Sequence, residues 1–242
     1  MAYSYDLHIH SCLSPCGDGD MTPNNIVGMA KLKGLDIIAV CDHNSAMNLS
    51  AIAQCAAEND LLLIPGIEVE TSEEIHALCY FPSVDQALAF GEMLQSHLPG
   101  IPNNVDIFGC QHIMDSNDQI IGEQETLLIT ATDISIDELP ALCREYGGVM
   151  VPAHVDKQAN SIISNLGFIP EDLPINCIEL SKNDTDFAFA RAKGLHKQYT
   201  LLQSSDAHYL GDIAERTHFV HLAQKNVGAV LDFLQNHRVK NE

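Results

Sequence analysis

The stretch YDLHIHSC, residues 5–12, decides how the rest of the chain is read. In an extended strand, successive side chains point to opposite faces. Tyr5, Leu7 and Ile9 would then share one face, and Asp6, His8 and His10 the other. Two imidazoles on neighbouring positions of one strand face can grip a single metal ion. A half-buried strand whose polar side meets water accounts for the same eight residues, so the remainder of the chain has to choose.

Length and composition narrow the choice. At 242 residues and 26.5 kDa, with 46% hydrophobic residues, the chain suits one α/β barrel-sized domain spanning 1–242. No apolar run approaches the ~20 residues of a membrane span, so no membrane partner is expected. The opening MAYSYDLHIHS has neither a basic n-region nor an apolar h-region. No signal peptide is expected, and a cytoplasmic location is the default. The eight cysteines sit in apolar segments such as IIAVCDH and HALCYF, which suits buried thiols rather than disulfides. Cys12 and Cys16 lie near the histidine pair, but their spacing matches no zinc-knuckle pattern. A formal net charge of −21 argues against long DNA or RNA gripped through its backbone. Part of the excess acid is what a cation site looks like with its ions left out of the count.

Strand-like and helix-like segments alternate. Thr22-Pro23 reads as a cap followed by proline at the first helical position, with Gly34 as the stop. DIIAVC (36–41), LLLIPGIEV (61–69), IHALCYF (75–81), GVMVPAH (148–154), NCIEL (176–180), TLLQSSDAH (200–208) and HFVHLA (218–223) read as strands. Helical spacing covers 48–59 and 84–97; the capping box S-I-D-E at 135–138 opens another helix, and Asn226 caps a last one. This rhythm predicts a parallel sheet or barrel. Residues 98–134 depart from it and read as an inserted hairpin around the SND turn. Such an insertion either covers the barrel mouth, with Gln111 and His112 near the substrate, or packs on the surface against a neighbour.

The histidines and acids fall where these strands end: His8 and His10, His43, Glu68, His154, and Asp206 with His208, while His76 lies in the strand after Glu68. In parallel α/β folds the carboxyl ends of the strands gather on one face, where active sites form. One polar residue before a loop has an ordinary explanation; seven or more in one chain do not. Nitrogen and carboxylate donors without thiolates suit Zn²⁺, Mn²⁺ or Fe²⁺, and metal-assisted hydrolysis is the natural chemistry. His97, His196, His218, His221 and His237 fall on helical or late segments and read as ordinary residues.

DLHIHS, CDHN (41–44), PAHVD (152–156) and SSDAH (204–208), in that order, resemble the four motifs of the PHP (polymerase and histidinol phosphatase) superfamily. GIE (66–68) and IHALCY (75–80) match its intervening glutamate and histidine, and the match spans roughly residues 5 to 210. The resemblance implies a distorted (β/α)7 barrel with two or three divalent ions at the carboxyl ends of its strands. Carried over, His8, His10, Glu68 and Asp206 would hold one ion, and Glu68, His76 and His154 a second. His43, His208 and a loop acid would hold a third. That acid is Asp18 or, two residues along, Asp20; Asp18 is favoured. Asp6, Asp42 and Glu179 read as supporting groups.

The implied reaction is hydrolysis of a phosphate ester by a metal-bound hydroxide, with Glu68, Asp206 and His208 as the catalytic residues. Lys157 and Lys182, just beyond strand ends, are candidate phosphate contacts beside a reading as solvated surface lysines. Three function classes stay open. The first is a phosphoesterase on a small substrate such as a nucleotide, sugar phosphate or amino-alcohol phosphate. The second is a nuclease or cyclic phosphodiesterase for short oligonucleotides. The third is a non-catalytic polymerase-type module. The expected partner is a small phosphorylated substrate, and the acidic charge counts against long polymers but not against di- or trinucleotides.

Overall fold

The computed structural model describes residues 1–236; His237 lies outside the described residues. Ten strands and eight α-helices follow one another along these residues. β1 (Ala2–Ile9), β2 (Ile37–His43) and β3 (Leu62–Glu70) pair in parallel. α1 (Pro23–Leu32) and α2 (Leu49–Glu58) make the two crossovers that parallel pairing requires. Gly34, at φ +72°, ends the first helix as expected.

The sheet is mixed rather than all parallel. β4 (His76–Tyr80) runs antiparallel to β3, because only a tight turn joins them and no helix intervenes. β7 (Val149–Pro152) pairs antiparallel with β4, and β10 (Phe219–His221) antiparallel with β1. The six strands run in the order β10-β1-β2-β3-β4-β7 and form a curled half-barrel. β8 (Cys177–Leu180) and β9 (Thr200–Gln203) make a separate parallel pair, and a single bridge from Ile9 to Ala207 links β1 to the segment after β9.

Two apolar clusters sandwich the sheet. Leu7, Ile37, Ala39, Cys41, Ile64, Leu78, Tyr80, Val151 and Leu202 belong to the inner one, which α8 (Val227–Asn236) closes with Val230 and Leu234. Ile9, Ile38, Val40, Ile67, Val69 and Cys79 pack outward with the helices. The shared face expected for Tyr5, Leu7 and Ile9 is therefore broken. Asp6 pairs with Ile38 but Ile9 pairs with Val40, so β1 carries one extra residue. Such a bulge re-aims the side chains beyond it. Leu7 and Ile9 part into different clusters, while His8 and His10 still meet, Nε2 to Nε2, at 3.1 Å.

The S-I-D-E box forms its reciprocal bonds, Glu138 N–H to Ser135 Oγ at 3.3 Å and Ser135 N–H to Glu138 Oε2 at 3.1 Å. Regular α-helix nevertheless begins only at α5 (Leu139–Glu145), after a turn. After α3 (Val84–Gln95), residues 98–134 hold a short α4 (Val105–Phe108) and the two-stranded ladder of β5 (His112–Met114) and β6 (Ile120–Glu123). This ladder is tied down: Met114 N–H donates to Asn48 Oδ1 at 2.8 Å, and Asn24 N–H to Asp118 Oδ1 at 3.0 Å.

Candidate metal centre

The inner faces of the strands carry the site. On β2, Ile37, Ala39 and Cys41 point inward, and His43 continues that alternation at the strand end. On β3, Ile64 sets the same parity for Glu68. β4 is antiparallel, so its first residue, His76, lies beside the carboxyl end of β3, where it pairs with Glu70. His154 follows β7, and Asp206 and His208 follow β9. His154 and Asp206 adopt left-handed backbone at φ 27° and 51°, a costly conformation for non-glycine residues that clusters at functional sites.

Glu68 is the hub, with 1% of its side chain exposed. Its Oε1 lies 3.0 Å from His76 Nδ1, 3.2 Å from His154 Nε2 and 3.4 Å from His8 Nε2. Its Oε2 lies 3.2 Å from His10 Nε2 and 3.3 Å from His43 Nδ1. Asp206 Oδ1 sits 3.2 Å from His10 Nε2 and 3.4 Å from His8 Nε2. Three sets of donors lie within 4.8 Å of one another: His8, His10, Glu68 and Asp206; His43, Glu68 and His76; and His10, His43 and His208.

The other ring nitrogens are largely pinned. His8 Nδ1 meets Glu179 Oε2 at 2.9 Å, and His10 Nδ1 meets Ser14 Oγ at 3.0 Å. That hydroxyl donates in turn to Asp42 Oδ1 at 2.7 Å. His208 Nδ1 meets the Asp206 carbonyl at 2.9 Å. Anchoring one nitrogen fixes the tautomer and turns the other lone pair inward, the usual outer contact of a metal-bound histidine. The buried Glu68 Oε2, His43 Nδ1 and His154 Nδ1 have no hydrogen-bond partner among the described residues. Buried orphan atoms are costly. This donor set therefore fits divalent metal ions.

Protons hold the crowded charges together in this form. Burial alone would raise Glu68, but His76, His8 and His43 keep it well below the usual carboxylate range. Burial opposes a charge on His10, yet the adjacent carboxylates of Asp206 and Glu68 push it up to about 9. His8 also rises, against its burial, because Glu179, Glu68 and Asp206 surround it. Asp206 is lowered despite its burial by His8 and His10. Burial drives His43 well down, and burial with the neighbouring His10 takes His208 to about 4. His43 and His208 are thus neutral near pH 7, the state a ligand needs.

Eight of the nine expected ligands come together; Asp18 does not. Its Oδ1 accepts the Asp20 N–H at 2.9 Å, and neither acid belongs to any of the three donor sets. Lys157 does reach the site: its ammonium bonds Asp206 Oδ2, and it lines the cavity with Ala159 and Asn160. Lys182 lies elsewhere, paired with Asp212 at 3.0 Å in a different cavity. Gln111 is not at the mouth. It is 1% exposed and braces its own loop, donating to the Gln124 and Thr126 carbonyls and accepting from the Leu128 N–H at 2.9 Å. His112 faces Glu123 across the β5–β6 ladder. Sequence reading missed Ser14 and Asn160. Both are small polar residues in loops, and no spacing rule marks such positions.

A 5′-3′ exoribonuclease of Haemophilus influenzae is 35% identical over 74 residues, covering 31% of this chain and 26% of that protein. The lesion-specific endonuclease PfuEndoQ from Pyrococcus furiosus shares the fold, with a TM-score of 0.68 at 20% identity over 97% of this chain and 56% of that one. An endonuclease Q complex with a 27-mer duplex carrying an abasic lesion at the active site aligns with a TM-score of 0.69 at 21% identity, covering 96% and 56%. The chain thus spans about a quarter of the exoribonuclease and just over half of the endonuclease.

The duplex complex overturns one expectation. The net charge argues against long nucleic acid, yet this fold accommodates a 27-mer duplex in endonuclease Q. A sum over the surface misjudges a local site: screening limits each charge to ~8 Å at physiological salt, and bound cations reverse the sign where phosphate docks. The PHP domain family model matches residues 6–234, and the chain belongs to that family.

Proposed function

We propose that the chain hydrolyses phosphodiester bonds in nucleic acid, with two or three divalent ions (Zn²⁺, Mn²⁺ or Fe²⁺) held by His8, His10, His43, Glu68, His76, His154, Asp206 and His208. The observation that carries the proposal is the clustering of these eight buried or half-buried donors, six of which line one cavity with one cation, Lys157, at its rim. That cavity has a volume of about 250 Å³. Sites that enclose a whole small ligand usually run ~300–1,000 Å³. Here a phosphoryl group enters and the rest of the substrate lies outside, which suits a polymer better than a fully enclosed metabolite. The names of the exoribonuclease and endonuclease relatives point to the same substrate class.

Bound ions supply charge neutralisation at phosphorus and a water of lowered pKa. The residues do the rest. Lys157, 40% exposed on its flexible four-carbon stem, turns from Asp206 to a non-bridging phosphate oxygen. Asp206, held ionised, and Glu68 keep the negative field that fixes the cations. His208, neutral near pH 7, donates a lone pair or accepts a proton and is not an acid.

The test is incubation of the Mn²⁺-, Zn²⁺- or Fe²⁺-loaded protein with end-labelled single-stranded RNA, an abasic DNA duplex and a phosphate monoester. Strand cleavage that His8→Ala abolishes supports the proposal. Turnover of the monoester alone would remove nucleic acid as the substrate. No turnover with metals bound would remove hydrolysis.

A further inference from the structure

We propose that Asn160 is a positioning residue that sets which ring nitrogen of His76 faces the cations. The inference rests on the reading that the Glu68 cluster holds metal, and its test reads metal binding rather than turnover.

His76 differs from His8, His10 and His208, and unlike His43, which also turns Nδ1 toward Glu68, it has a side-chain partner on its far nitrogen. His8, His10 and His208 are pinned through Nδ1 and turn Nε2 inward. His76 is reversed, with Nδ1 3.0 Å from Glu68 Oε1 and Nε2 3.0 Å from the side-chain amide of Asn160. Asn160 also grips the backbone, since its carbonyl accepts the His76 N–H at 3.0 Å. Its own backbone is left-handed at φ 54°, a conformation asparagine tolerates better than most residues. It immediately precedes Ser161, the cap of α6 (Ile162–Leu166), so helix geometry holds the amide in place.

An amide meets a ring nitrogen with its N–H or its carbonyl, related by a half-turn. With the N–H toward Nε2, the ring carries its proton on Nδ1 and gives it to Glu68, which suits the metal-free cluster. With the carbonyl toward it, Nε2 keeps the proton and the Nδ1 lone pair points at the cations beside Glu68. Asparagine, with both a donor and an acceptor on one amide, serves both states without moving its backbone. Aspartate serves only the second, and glycine neither, although glycine keeps the left-handed backbone.

Two variants separate the side chain from the backbone. Metal affinity is measured by chelator competition with Zn²⁺, and the His76 tautomer by ¹⁵N imidazole spectra of the Zn²⁺-loaded protein. Asn160→Gly should lose roughly tenfold to a hundredfold in affinity for one ion, the range for contacts that orient a ligand. Asn160→Asp should restore it to within a few-fold, with His76 protonated at Nε2 in the wild type and in the aspartate variant. Unchanged affinity in Asn160→Gly, or equal loss in both variants, overturns the proposal. So does a wild-type spectrum with the proton on Nδ1. A protein that binds no zinc at all would instead refute the metal reading on which the inference stands.

Discussion

The two ends of the half-barrel hold cavities of opposite character. Where β7 and β8 begin, a cavity of about 450 Å³ is lined by Arg144, Glu171, Asp172, Asn176 and Leu234. At the other end, a cavity of about 250 Å³ is lined by His43, Glu68, His76, His154 and Asp206. The larger one has one cation and two carboxylates on its wall, and none of its residues belongs to a donor cluster among the described residues. In the smaller one, buried donors share oxygen atoms and outside contacts fix their tautomers. Volume does not mark the chemistry here; convergence of otherwise costly buried groups does.

The sharpest way to break this comparison is one substitution at each end. Glu68→Ala removes an acceptor common to two donor sets and leaves the protonated His8 and His10 without a main counter-charge. Metal analysis after gel filtration should show the content fall by at least one ion, and strand cleavage should drop by more than the ~100-fold of an outer contact. Arg144→Ala should leave both unchanged and move stability by no more than about 0.5 kcal/mol. Equal losses would mean that the cluster is structural.

A second contrast lies between the metal-free and loaded forms. His10 rises from its ordinary 6.5 to about 9 in the folded protein, and His8 rises as well. A raised folded pKa adds stability that is complete below the unfolded value, 6.5, and is lost as pH climbs through about 9. The melting temperature of the metal-free protein should therefore fall between pH 6.5 and pH 9.5. Saturating Zn²⁺ should flatten that slope, because ions replace the protons and bind the folded state alone. A metal-free protein whose melting is flat over this range would show that the protons do not sit on these rings.

Much of the candidate centre was legible because its donors lie at strand ends or within a few residues beyond them. His43 and Glu68 inherit their direction from the alternation before them, and DLHIHS and SSDAH are local patterns. The sheet was less legible. β4 turns back on β3 because the intervening turn is too short for a crossover, a point the apolar run IHALCYF does not carry by itself. The bulge in β1 is equally silent: HIH reads as perfect alternation, yet Leu7 and Ile9 end in separate clusters. Lys157 and Lys182 looked alike in sequence. Only tertiary packing sends one to Asp206 and the other to Asp212.

That pair of lysines sharpens the comparison at smaller amplitude. Lys157→Ala should lower kcat/KM for a phosphodiester by roughly tenfold to a hundredfold, the value of ~1.5–3 kcal/mol for a hydrogen bond to a charged group. Lys182→Ala, remote and half-exposed in its pair with Asp212, should change it by less than twofold. Metal content should stay intact in both. A larger loss from Lys182 would move the phosphate site toward the cavity it shares with Gln203 and Ser205.

The smallest effect is expected where family resemblance and geometry part. Resemblance places Asp18 on a third ion with His43 and His208, but its carboxylate is spent on the Asp20 N–H at 2.9 Å. Its backbone N–H does touch the site, donating to the His208 carbonyl at 2.9 Å, so the loop positions His208 through its main chain. Asparagine forms the same local turn, accepting the i+2 amide with its side-chain oxygen. Asp18→Asn should therefore keep the main-chain bond, the stability to within about 0.5 kcal/mol and the metal content. Titration with Co²⁺, counted against the wild type by its visible absorption, gives the answer directly. Loss of one equivalent would mean that the acid leaves Asp20 and turns inward when metal binds, and that the loop closes over the third set of donors.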